Sequence, residues 1–177
     1  DIQAHLEIWR NEDRFLEENE IHSAYGLSGS PESVVVHADT TITDQNKVIW
    51  YHRNCRSIWA ETLALQGMES WLDQGNDPLQ DLTFGGLIQG ENFANSDGTS
   101  LKSTKPEKHH LVSIHLLTAQ TVTPQQWIDQ LQKLSHQTNL ISLNQARKAH
   151  QKWWTDFWNR SWIFVSGDEF AETVTRG

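Results

Sequence analysis

The feature that most limits the fold is punctuation. Short β-branched and aromatic runs follow one another through the first two-thirds of the chain, each closed off by turn residues. Ser33 to His37 follows Gly29-Ser30-Pro31, and Lys47 to His52 follows Asp44-Gln45-Asn46. Phe84 to Gln89 comes after Asp77-Pro78, and Leu101 to Ser103 after Asn95-Ser96-Asp97-Gly98. At the start, Ile2, Ala4, Leu6 and Ile8 alternate with Gln3, His5, Glu7 and Trp9, the period-2 pattern of a strand. Leu111 to Leu117 is the clearest strand, with Val112, Ile114 and Leu116 on one face. Many short strands separated by turn signals predict an antiparallel sandwich.

Helical patterns interrupt the strands and then take over. Ser57 to Leu72 places Ile58, Leu63, Leu65 and Trp71 at roughly helical spacing, with Gly67 as an early stop. Thr123-Pro124-Gln125-Gln126 opens a second helix: Thr123 as N-cap, Pro124 at the first helical position, Gln126 completing a capping box. Trp127, Leu131 and Leu134 then form its apolar stripe. Ser142-Leu143-Asn144-Gln145 repeats the capping logic for a third helix, in which Ala146, His150, Trp153, Trp154, Phe157 and Trp158 share one face.

Composition removes several function classes. The net charge is −9, which opposes a nucleic-acid partner, since affinity there comes mainly from Lys and Arg on phosphates. No apolar run approaches the roughly 20 residues needed to span a bilayer. Cys55 is alone and forms no internal disulfide. Nine Trp beside two Tyr and one Met is the main anomaly, and it points to stacking or to packing against a large apolar neighbour. From Asp168 to Gly177 the chain reads as a helix beginning, with acids in its first turn, so a longer protein is expected.

Four constellations have chemical potential. Flat indoles on the Trp153–Trp158 helix suit the apolar faces of pyranose rings, but helical spacing favours one packed neighbour, with Asn159 and Arg160 tying the helix end to it. Trp50-Tyr51-His52-Arg53-Asn54 ends a strand, where polar groups often meet ligands. Trp50 and His52 face one way, Tyr51 and Arg53 the other; a hydrogen-bonded corner is the plainer reading. His109, His110 and His115 invite a metal reading, but His109 and His115, on one strand face, lie about 20 Å apart, too far to share a metal, and His22 and His37 have no ligand-like spacing. Asp39, Asp44, Asp77 and Asp81 are the available carboxylates for glycoside chemistry, yet each suits a cap or turn as well. Thr83-Phe84-Gly85-Gly86 carries two glycines in strand context, a sign of a bulge or close backbone approach.

Several segments taken together resemble a known bacterial family. They are Leu6-Glu7-Ile8-Trp9-Arg10, His22-Ser23-Ala24-Tyr25-Gly26-Leu27, Val48 to Asn54, Thr83-Phe84-Gly85-Gly86, Leu117-Thr118-Ala119-Gln120-Thr121 and Trp153 to Ile163. The family is domain of unknown function 5703: large proteins with an N-terminal β-sandwich and a C-terminal (α/α)6 toroid, similar in plan to α-L-fucosidase-type inverting glycosidases. The resemblance implies a β-rich, mixed α/β chain, an antiparallel, supersandwich-like β-sandwich segment with two or three helices, ending in a linker helix. It implies residues 1–122 as sandwich segment with a helix inserted near 57–72, 123–165 as helical linker, and 166–177 as the start of the toroid.

By the same resemblance the parent protein hydrolyses glycosidic bonds, while its catalytic acids lie outside this chain. No catalytic residue, cofactor or metal is expected here. Trp50, His52, Arg53, Asn54 and Phe84 are the expected carbohydrate-binding or active-site rim. His150, Trp153, Trp154, Phe157, Trp158 and Arg160 are expected to dock the (α/α)6 domain. Carbohydrate, reached through the parent, and that toroid are the expected partners, with no nucleic acid or membrane; a periplasmic or secreted location goes with them. The rival expectation is an independent carbohydrate-binding module using exposed Trp9, Trp50, Trp59 or Trp71. A third is a self-contained hydrolase using Asp77 or Asp81.

Overall fold

The computed structural model describes residues 1–17, 19–20 and 35–160 of the chain. Among these, the strands are β1 (Gln3–His5), β2 (Arg14–Phe15), β3 (Val35–Val36), β4 (Thr40–Asp44), β5 (Lys47–Arg53), β6 (Leu82–Gly90), β7 (Phe93–Asn95), β8 (Ser100–Ser103) and β9 (Val112–Gln120). The helices are α1 (Trp59–Leu65), α2 (Pro124–Asn139) and α3 (Leu143–Trp158), with a 3₁₀ turn at Glu69–Trp71. The chain divides into two compact units, residues 1–135 and 136 onward, the division falling within α2.

Every ladder among the described residues is antiparallel. The largest sheet runs β4-β5-β6-β9, a second runs β1-β8-β7, and β2 pairs with β3. The fold is thus β-rich and mixed, with antiparallel sheets first and the longer helices last. The four-stranded sheet is apolar on both faces because β5 and β6 carry continuous apolar runs, so successive residues serve different layers. Ile49 and Leu87 meet Trp127, Ile128 and Leu131 of α2 on one face, with Tyr51 and Leu117 beside them. Val48 and Ile88 meet Phe93 and Leu101 of the three-stranded sheet on the other, flanked by Ala4, Leu6, Trp50 and Val112.

Several expectations change in detail. The 57–72 helix is shorter: α1 stops at Leu65, Gly67 takes φ +66°, and only a 3₁₀ turn follows. Left-handed backbone at Gly67 is an ordinary helix stop, available at low cost because glycine has no Cβ. β1 covers only three residues, yet its alternation continues, and Ala4, Leu6, Ile8 and Arg10 are all half-buried. Val112, Ile114 and Leu116 do share a face, but Ile114 and Leu116 are exposed while His115 between them is buried. On that face the shorter sheet packs over Val48, Ile88 and Val112 and leaves Ile114 and Leu116 of the outer strand β9 uncovered. Residues 33–34 of one expected strand, the 22–27 segment, the turn at 29–31, and everything expected from 161 to 177 lie outside the described residues.

Candidate functional site

β5 and β6 place Trp50 opposite Gly86 and His52 opposite Phe84. Gly86 is required by close approach. A Cβ there would lie 2.8 Å from Trp50 Cη2, 2.8 Å from Leu116 Cδ2 and 2.6 Å from the His115 carbonyl oxygen. The missing side chain lets the Trp50 indole extend across β6 toward Leu116. His52 and Phe84 pack with ring centroids 5.4 Å apart, tilted by 40°. The Arg10 guanidinium stands 5.6 Å from the Phe84 centroid, within cation–π range.

Asp39 is the hub of this corner. Its Oδ1 accepts a 2.7 Å hydrogen bond from Arg10 Nε and lies 3.0 Å from His52 Nδ1. Its backbone N–H donates to the Arg10 carbonyl at 2.8 Å, joining the 6–10 segment to the start of β4. The Asp39 side chain is 10% exposed, and His52 and Arg10 are 14% and 41% exposed. A carboxylate so far from water is costly unless paired, and two donors on one oxygen compensate. An ionised carboxylate accepts only, so the ring nitrogen facing it, His52 Nδ1, is the N–H, and in that neutral tautomer the lone pair falls on Nε2.

The expected rim residues separate. Trp50, His52 and Phe84 come together at this corner. Arg53 leaves β5 on the opposite side, where its Nη1 donates to Thr83 Oγ1 at 2.9 Å and its Nη2 to the Thr121 carbonyl at 2.8 Å. Nη2 also pairs with Asp81 at 2.8 Å, and the side chain is only 10% exposed, so Arg53 fastens strand ends. Asn54 continues the ladder through its backbone, donating to Leu82 O and accepting from Asp81 N–H, both at 3.0 Å. Asp77 caps a turn by accepting from Leu79 and Gln80 N–H. Burial would raise its pKa, but bonds from Ser57 and those two amides outweigh this and hold it below the ordinary value. Asp44 is exposed at the end of β4, paired with Lys47 across the β4–β5 turn. Among the described residues, no three His, Cys, Asp or Glu side chains gather as a metal site.

The expected docking residues lie together on α3. Trp153 and Phe157 are stacked at 5.4 Å and 10°, and Trp154 and Trp158 at 6.2 Å and 21°. His150 meets Trp154 edge-on at 6.1 Å. No α3 residue is buried, and Trp153 and Trp158 are 58% and 57% exposed. A hollow of about 340 Å³ is lined, among the described residues, by Trp153, Asp156, Phe157 and Arg160. Of the other candidate stacking residues, Trp9 and Trp71 are exposed, while Trp59 is half-buried with its Nε1 sealed from water.

The family model of the N-terminal domain of DUF5703, a domain of unknown function, matches residues 1–163. The chain belongs to this family. No curated protein and no solved structure matches it. In this DUF5703 domain, sequence reading found the aromatic half of the corner and missed the Arg10–Asp39 pair as a unit. A signal for Arg10 was present: it occupies the inward position that follows Ala4, Leu6 and Ile8, and a charge on an inward face needs a buried partner. Nothing in the sequence links it to Asp39, which is 29 residues away.

Proposed function

We propose that this DUF5703 domain is the non-catalytic β-sandwich portion of a glycoside hydrolase-like protein, supporting and docking an (α/α)6 catalytic toroid. The observation that carries this reading is α3. Phe157 and the indoles of Trp153, Trp154 and Trp158 form one preassembled surface, and none of them is buried. Aromatic side chains bury roughly 150–250 Å² each against a partner, and contiguous exposed apolar patches mark interaction surfaces. His150 and Arg160 flank the patch and supply polar contacts at its ends. Hydrolysis would use one general acid and one general base activating water, both held by the toroid.

The test compares the domain alone with the longer protein containing it, on aryl glycosides and oligosaccharides. Turnover is expected only in the longer protein. Its thermal midpoint should fall when Trp154→Ala and Phe157→Ala are combined, while the isolated domain barely responds. Turnover by the domain alone would refute this reading.

A second reading, a carbohydrate-binding module, is favoured by the half-buried Trp50–His52–Phe84 corner, which sets two aromatic rings beside polar groups. Titration calorimetry with plant and algal oligosaccharides separates the two. Tight binding by the isolated domain, lost in Trp50→Ala, favours the module.

A further inference from the structure

We propose that Arg10, Asp39 and His52 form a hydroxyl-binding subsite for a neutral pyranose beside Trp50 and Phe84, a site that presupposes the second reading and specifies its ligand. The three polar groups divide the work. Asp39 Oδ1 is occupied inside the protein, since it faces both Arg10 Nε and His52 Nδ1 on a side chain only 10% exposed. In the neutral tautomer this leaves a lone pair on His52 Nε2. It has no protein partner among the described residues and is not among the polar atoms sealed from water.

Arg10 is likewise half used. Only Nε bonds to the carboxylate, and neither Nη finds an acceptor among the described residues, although the side chain is 41% exposed. A clamp built only for strength would use the two-pronged fork on both carboxylate oxygens. Arg53 shows what a structural arginine looks like in this domain, with its Nη groups spent on Thr83, Asp81, Thr121 and Val122.

The corner therefore offers an acceptor next to donors, held adjacent because both residues grip the same oxygen. A hydroxyl group matches this pair, since it donates and accepts. One hydroxyl would donate to His52 Nε2, and the neighbouring oxygen would accept from Arg10 Nη. A uronate carboxylate can only accept, so it would oppose the Nε2 lone pair and approach Asp39 with like charge. The C–H face of the ring would rest against Trp50 and Phe84.

The test uses the ¹⁵N-labelled full chain and simple probes: methyl pyranosides of gluco, galacto, xylo and fuco configuration, with methyl glucuronide as the charged control. At least one neutral pyranoside should shift the Trp50 indole and His52 ring signals, and the glucuronide should bind more weakly. His52→Asn keeps an N–H for Asp39 but lacks Nε2. Arg10→Lys keeps the ion pair but lacks the free fork. Each should weaken binding about tenfold, the loss of one hydrogen bond to a charged or strongly polar group. If His52→Asn fails to fold, Arg10→Lys alone decides. Unchanged affinity in the folded variants, or preference for the glucuronide, overturns the subsite. Shifts confined to the exposed Trp9 or Trp71 indoles overturn it while leaving a carbohydrate-binding module intact. No shift with any probe overturns both.

Discussion

Asp39 joins three parts of the chain through one side chain and one amide: the 6–10 segment, the start of β4 and the end of β5. Removing it strands the His52 N–H in a nearly closed site, so Asp39→Ala should lower unfolding free energy by about 1–3 kcal/mol in urea titration. His115 offers a different test. It is buried on β9, its Nε2 has no partner, and burial alone pushes its pKa below the ordinary 6.5. As pH falls below 6.5, the unfolded chain takes up this proton before the folded one does. Stability contributed by neutral His115 is therefore fully present above pH 6.5 and drains away as pH falls toward the lower folded value. The urea midpoint should drop over that interval, and His115→Leu should flatten the drop. An equal slope in both proteins would refute the assignment.

Among the elements, β6 is the most tightly constrained. Any Cβ at Gly85 would collide with the Trp50 carbonyl and the Tyr51 Cα, both backbone atoms that cannot step aside. Gly67 also departs from what other residues prefer, with φ +66°, but nothing lies within 4 Å of its missing Cβ. Gly67→Ala should cost about 1–2 kcal/mol, the strain of a left-handed residue. Gly85→Ala should cost clearly more, or prevent folding, in the same thermal melts. α2 is held by its buried stripe, and Leu131→Ala should destabilise by about 2–5 kcal/mol through lost burial and a cavity. α3 differs: its Ser142–Gln145 capping box is complete, yet its aromatic face has no cover. Both capping segments were legible because such bonds span three residues. In α2, Gln126 N–H donates to Thr123 Oγ1, but the Gln126 side chain reaches the Val122 N–H, one residue earlier than a capping box requires.

For the whole molecule, unsatisfied surface decides behaviour. β9 stands at the end of the four-stranded sheet with Ile114 and Leu116 62% and 67% exposed, and α3 adds its aromatic patch. Uncovered edge strands and apolar patches promote association. The isolated chain should self-associate with rising concentration in light scattering, despite a net charge of −9. Leu116→Lys and Trp153→Lys should each reduce this. A monodisperse monomer at high concentration would show that these surfaces are harmless alone.

The sequence by itself determined what depends on near neighbours: strand periodicity, turn positions, helix starts, the shared face of Trp50 and His52, and the aromatic stripe of α3. These follow from local sterics and from hydrogen bonds spanning a few residues. The tertiary structure decided which faces are covered. It turned Ile114 and Leu116 to the open side, sent Arg53 to strand fastening, and brought Arg10 and Asp39 together beside His52. Burial and long-range ion pairing depend on which layer the chain lays over each face, and no local pattern specifies that.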